Sequence, residues 1–373
     1  MLNTLTKTKA MKSKLKYMDY ARLAADTVMK KYNPDKLPPA GTLHYHAGVF
    51  LNGMLNLYKE MGGEKYYNYI KEYVDGCVDN IGIITGFDGL SFDDIQAATL
   101  FFPVIKKEVE CKKYEKALIA CMSIVNSWKK DPEGGFWHKS FLHNQMWLDG
   151  IYMVSQLQLM FAKEYGYTDF AQNVYKQAFL MYDRLKTDNG LLYHAWCYDK
   201  DCDWCNPETG CSYEVWARSL GWYTLAAADI LELDEDNEEE KKKLAKILSQ
   251  LLKSVVKYQD EKTGMWYQIV DKPNGKGNWV ESSGSALFVY SIAKAIRLGV
   301  LEKEYGEYAV KGFEGIVKNA IEISDGKLDM NLICPGTNVG TYEQYIARPK
   351  SSNDLHGMGP FILMCVEMQR LLN

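Results

Sequence analysis

The feature that most constrains this chain is the strict alternation of short and long connections between segments of helical periodicity. Apolar residues recurring every three or four positions predict twelve helices, over 18–32, 44–61, 65–81, 93–108, 112–129, 145–164, 168–186, 215–233, 238–258, 282–298, 304–320 and 356–372. No alternating strand pattern stands out beyond the loops. The connections at 62–64, 109–111, 165–167, 234–237 and 299–303 are short, whereas those at 33–43, 82–92, 130–144, 187–214, 259–281 and 321–355 are long. Short links force antiparallel neighbours, so the alternation sends every long connection to one end of six helical hairpins. The fold class expected is all-α, an (α/α)6 toroid (six-hairpin barrel) in one domain spanning 1–373, with 1–17 a peripheral N-terminal segment. An open solenoid is the alternative, but no self-similarity at a fixed period supports it.

The chemistry-bearing residues follow the same map. All six His (His44, His46, His138, His143, His194 and His356) fall in long connections or in the first turn of the next helix. Most of the nine Trp do the same, although those connections make up only about a third of the chain. One end is therefore the working end, and it gathers the positive N-termini of the even-numbered helices, which favour an anion. Aromatic residues reach 13%, with 26 Tyr, and such flat faces with polar edges suit stacking on sugar rings. The formal charge of −4, with no basic block, leaves no electrostatic grip for nucleic acid. No apolar run is long enough to span a membrane and the basic N-terminus does not read as a signal peptide, so no membrane association and a cytoplasmic location are expected.

Three constellations carry candidate chemistry. Asp149, in the run Asn144–Gly150, is expected about one turn into a helix among Trp147, Leu148 and Ile151, where burial raises a carboxyl toward general-acid range. The competing reading is a carboxylate that only meets the helix dipole. Ser91 and Asp94 match a capping box, leaving Asp93 free to join Asp149 as the second carboxylate of a glycosidase-like pair. Arg218 is one of six Arg in the chain and, with Arg348, lies at the loop end; it is able to hold a carboxylate through its planar fork while Trp216 or Trp222 stacks a ring. A surface salt bridge is the alternative for Arg218.

Two further stretches admit structural readings. Cys197, Cys202, Cys205 and Cys211 contain one possible zinc half-site, Cys202-x2-Cys205, and as a set would suit a zinc-dependent toroid enzyme; reduced, unligated thiols are the competing reading. Near the end, Cys334–Gly340 and Asn353–Pro360 read as a tight loop feeding the last helix, with glycines that let backbone approach a ligand.

The runs FWHK at 136–139, NQMWLDG at 144–150, LLYHAW at 191–196, WARSLGW at 216–222, the 264–290 segment and CPGTNVG at 334–340 resemble, in order, the unsaturated rhamnogalacturonyl hydrolases of glycoside hydrolase family 105. The resemblance implies a six-hairpin toroid that releases a Δ4,5-unsaturated uronic acid from small lyase-generated oligosaccharides such as disaccharides, without a cofactor or catalytic metal. It implies that Asp149 is the general acid and base, that Asp93 assists, and that Tyr45, His138, His194, Trp216, Arg218 and Trp222 line the substrate pocket. Leu43 and Ala47 stand where Trp and Gln are often found. A non-catalytic carbohydrate-binding toroid is the remaining alternative.

Overall fold

The computed structural model describes residues 15–372; residues 1–14, which contain most of the segment expected to be peripheral, and residue 373 lie outside the described residues. Twelve helical rods appear in the expected order. They are α1 (Tyr17–Lys31), α2 (Tyr45–Met61), α3 (Glu64–Cys77), α4 (Phe92–Lys107, in three pieces), α5 (Lys112–Asn126), α6 (Gly150–Tyr165), α7 (Thr168–Leu185), α8 (Ala217–Leu233), α9 (Glu238–Val255), α10 (Ser282–Arg297), α11 (Gly306–Asn319) and α12 (Leu355–Leu372).

The even-numbered helices form a closed inner ring, in which α2 packs on α4, α4 on α6, α6 on α8, α8 on α10, α10 on α12 and α12 back on α2. This last contact decides for the toroid against an open solenoid, whose ends do not meet. Glycines make the closure tight: a Cβ on Gly359 of α12 would stand 2.7 Å from the Val49 carbonyl carbon of α2, and one on Gly53 would stand 3.0 Å from the Gly359 oxygen. Gly357 and Gly359 therefore lie inside α12 and serve close packing, Gly359 on α2 and Gly357 on the Ile333 side chain, not the ligand-approaching loop expected from sequence.

Inner and outer helices differ as their positions require. In α8 and α10 nearly every residue is buried, whereas outer α9 buries one stripe, Leu244, Ile247, Leu248, Leu251, Leu252 and Val255.

Two departures from the expected helices have local causes. The α4 rod runs Phe92–Ile95, then a 3-10 stretch Gln96–Leu100, then Phe101–Lys107. Pro103 has no N–H to give Thr99 and its ring crowds that carbonyl, so the preceding turn tightens. The helix expected from 145 begins at Gly150, because Gln145–Trp147 forms a strand, β1, antiparallel to β2, Ala195–Cys197, with Met146 opposite Trp196. Two more two-stranded ladders, β3 (Trp266–Tyr267) with β4 (Val280–Glu281) and β5 (Ile321–Ser324) with β6 (Lys327–Met330), and a one-turn helix, Tyr342–Ile346, order the remaining long connections. No helix among the described residues is long and apolar enough to cross a membrane.

Candidate active site

Each of the six inner helices delivers polar side chains from its first turn or from the residue just before it. Tyr45 and His46 open α2, Asp93 opens α4, Asp149 immediately precedes α6, Trp216 and Arg218 open α8, Glu281 and Ser283 open α10, and His356 opens α12. Six N-termini of positive partial charge meet there, as the loop lengths imply.

Asp149 sits at the N-cap position rather than one turn inside α6, and its side chain does not cap the helix. Its Oδ2 instead lies 3.0 Å from Nε2 of His194, whose Nδ1 is 2.5 Å from the Tyr345 hydroxyl. The strand β1 places these groups: the His138 N–H donates to the Gln145 carbonyl at 2.7 Å and the Leu148 N–H to the His194 carbonyl at 2.9 Å. A single short ladder thus holds both imidazoles beside the carboxylate. The rings continue the wall, with His138 stacked on Trp147 at 4.3 Å and 12°, His194 4.8 Å from Trp216, and Trp216 5.8 Å from Tyr345.

The electrostatics of Asp149 correct the expectation of a raised carboxyl. Burial is the largest influence and pushes it up, but His194, His138 and Arg218 together draw it below the usual carboxylate value. Asp93 behaves alike: burial raises it, while His138, Lys139 and His44 bring it below the usual range. Its Oδ2 is 3.1 Å from Lys139 Nζ and its Oδ1 3.8 Å from His138 Nε2. His138 faces both carboxylates and burial lowers its own pKa. Ser91 caps α4 through the Asp93 N–H at 3.1 Å, so the expected Ser91–Asp94 reciprocal box is replaced by a simpler cap. Asp94, half-buried beside Asp93 and Asp88, is pushed up to about 7 by burial and by those two charges.

Arg218 is buried, and its guanidinium is already committed. Nη1 donates to the Cys334 carbonyl and, at 3.3 Å, to Ser283 Oγ; Nη2 donates to the Pro335 carbonyl at 2.7 Å; and Cζ lies 4.6 Å over the Trp216 ring. Glu281, which caps α10 through the Ser283 and Gly284 N–H groups, also accepts from the Cys334 N–H at 2.9 Å. The fork therefore clamps the 334–335 loop and presents its charge to the site from a fixed position. The surface salt bridge is not formed, while Arg348 donates to the Gly336 carbonyl.

Of the residues singled out from sequence, Asp93, Asp149, His138, His194, Trp216 and Arg218 come together. Tyr45 joins a neighbouring cluster, its hydroxyl bonded to His356 Nε2, which is also 2.5 Å from His46 Nε2; His356 Nδ1 is 2.7 Å from Asp354 Oδ1. Trp222 lies deeper, stacked on Tyr152 at 4.4 Å and 15° in the core. Sequence reasoning missed Tyr345, Trp147 as a stacking partner, and the His46, Asp354 and His356 grouping. Only the loop position of the histidines signalled the last of these, and nothing local marks Tyr345. The ligand atoms of His46, Asp354 and His356 converge closely enough to hold a cation, as do those of Cys197, Asp201 and Cys202.

Comparison with known proteins places this geometry in context. A sequence model described as Glycosyl Hydrolase Family 88 matches residues 20–372. A structure described as a glycoside hydrolase from family 105 of C. acetobutylicum superposes with a TM-score of 0.90 at 31% identity, covering 94% of this chain and 99% of that one. The unsaturated rhamnogalacturonyl hydrolase YesR of Bacillus subtilis is 25% identical over 287 residues, 75% of this chain and 76% of that protein. The unsaturated glucuronyl hydrolase of Bacillus sp. GL1 shares the fold at 13% identity, with a TM-score of 0.68 and coverage of 94% and 95%.

Proposed function

The chain belongs to the glycoside hydrolases of families 88 and 105, and on that premise we propose that it releases a Δ4,5-unsaturated uronic acid from the non-reducing end of a lyase-generated oligosaccharide, with a disaccharide as the smallest substrate. The observation that carries this reading is Asp149, buried at the start of α6, within the field of Arg218 and 3.0 Å from His194, whose ring lies against Trp147 and Trp216. The YesR resemblance supports a pectin-type substrate.

The reaction then runs as follows. The uronate anion settles among the inner-helix N-termini, facing the Arg218 charge. Its negative charge beside Asp149 offsets the pull of His194, His138 and Arg218, so the Asp149 carboxyl gains its proton in the complex. Asp149 delivers that proton to C4 as the C4=C5 electron pair forms the new C–H bond, and positive charge develops at C5 and the ring oxygen. Asp93, held ionised by His138 and Lys139, stabilises that charge. Asp149, now a carboxylate, takes a proton from the water that adds to C5. The resulting hemiketal opens to a ketone at C5, leaving a hemiacetal at C1 that expels the next sugar as its alcohol, with one water consumed overall. The nine unpaired cysteines support placement in a reducing, cytoplasmic compartment.

The test is a panel of lyase-generated unsaturated disaccharides, followed by loss of the vinyl-ether absorbance and by release of the second sugar. Turnover of at least one unsaturated member, with none of its saturated counterpart, is expected. Equal cleavage of saturated and unsaturated forms, or binding without turnover across the panel, would contradict the reading.

A further inference from the structure

The connection between α7 and α8 holds a cluster that the proton-transfer chemistry does not use. Cys197 ends β2, and its Sγ lies 2.9 Å from Sγ of Cys202 and 3.4 Å from Oδ1 of Asp201. Cys205 is buried, its thiol reaches Cys197, and its N–H donates to the Cys202 carbonyl at 3.0 Å, closing the two-residue turn between them. Cys211 stands apart, since its thiol donates to the Arg184 carbonyl at 3.0 Å.

We propose that Cys197, Cys202 and Cys205, completed by the Asp201 carboxylate, form a structural site for a tetrahedral, thiolate-preferring divalent cation of the zinc class. Cys197, Asp201 and Cys202 bring their ligand atoms together and the Cys205 thiol reaches Cys197, so three sulfurs and one oxygen are at hand, the ligand types and number such an ion takes. At about 2.3 Å from each sulfur, zinc sets neighbouring sulfurs roughly 3.8 Å apart. Cys202 therefore moves outward by a fraction of its present separation, as its half-exposed turn permits.

Geometry favours a cation over idle thiols: Sγ of Cys197 and Cys202 and a carboxylate oxygen of Asp201 lie within 4.8 Å of one another, so soft and hard donors meet at one point.

The site has a consequence for catalysis by position. Cys197 is paired with Gln145 across the β1–β2 ladder, three residues beyond His194, and Asp199 accepts hydrogen bonds from Asn144 Nδ2 and His143 Nδ1, both at 2.9 Å. A metal at Cys197 thus anchors the strand that sets His194 against Asp149. It is a positioning element and touches no reacting atom.

Metal content of the full chain, purified with a thiol reductant, tests this directly. About one zinc per chain is expected, with the Cys202→Ser/Cys205→Ser variant falling below about a tenth of that and Cys111→Ser retaining it. The apo chain exposed to cobalt should develop thiolate-to-cobalt charge-transfer absorption, which the double variant lacks. Should that variant not fold, alkylation mapping of the wild type decides: Cys197, Cys202 and Cys205 should become reactive together when a chelator removes the metal. No zinc retained and no cobalt taken up, or a Cys197–Cys202 disulfide in the native chain, would overturn the proposal.

Discussion

Replacing Asp149 by Asn isolates the proton that the proposed reaction needs. The amide has the volume of the carboxyl and still offers an oxygen toward His194 Nε2, 3.0 Å away, but it has no proton to give C4 and no carboxylate to take one from water. A positioned general acid–base contributes about 10²–10⁴-fold, which at about 1.36 kcal/mol per decade is roughly 2.7–5.5 kcal/mol of barrier. The cost to the fold is much smaller. Asp149 caps nothing, and burial of its charge already opposes the attraction of His194, so a change on the order of 1 kcal/mol is expected. The assay is vinyl-ether loss on the best disaccharide of the panel, with kcat and KM separated and the melting temperature measured alongside. The account expects kcat to fall by about two to four decades with KM nearly unchanged and the fold intact. Activity within threefold of wild type would refute the assignment, as would a fall that appears only in KM.

The same geometry sets further outcomes. Free Asp149 sits below the usual carboxylate value and the bound uronate raises it, so the alkaline limb of kcat should lie about one pH unit or more above that of kcat/KM; coincident limbs would contradict substrate-induced protonation. Arg218→Lys keeps the charge but loses the fork on the Cys334 and Pro335 carbonyls, so kcat/KM should drop about ten- to a hundredfold at roughly 1.5–3 kcal/mol per charge-assisted bond. The methyl ester of the substrate should be a poor substrate and less sensitive to Arg218→Ala; equal sensitivity would remove the uronate from Arg218. Between α8 and α10, Lys294 Nζ is 2.5 Å from Asp229 and 2.6 Å from Glu232, and Lys294→Met should cost about 3–5 kcal/mol in chemical unfolding by leaving buried Asp229 without a cationic partner, while Glu232 keeps Arg297. Glu232 is held down to about 2, against burial, by Lys294 and Arg297, so its folded value lies below its ordinary 4.5. Its contribution is present above 4.5 and is lost as pH falls toward about 2, and the variant should show a shallower stability loss in that window.

The ring was legible because connection length is a local property. Counting residues between periodic segments orders six hairpins without knowledge of any contact, and it also puts Asp93, Asp149 and Arg218 at inner-helix starts. What the reading could not reach depends on partners distant in sequence. Met146 is as apolar as a helix start demands, and only its pairing with Trp196 makes 145–147 a strand. The apolar neighbours of Asp149 suggest a raised carboxyl, but the imidazole that reverses the shift comes from His194, in the next long connection. Tyr345, inside a one-turn helix, carries no pattern that ties it to His194. Trp222 has the same composition-level signal as Trp216, yet six residues more along the chain take it down to Tyr152 in the core. Gly359 of the last helix reads as a loop glycine because the close approach of α2 that requires it is invisible in its own segment.

Addition of a proton to C4 before cleavage would leave a solvent-derived label in the released uronate, and running the reaction in deuterium oxide locates it. One deuterium is expected at C4, delivered to a single face of the ring, with loss of the vinyl-ether absorbance no slower than release of the second sugar. Release of that sugar with the double bond intact and C4 unlabelled would contradict it.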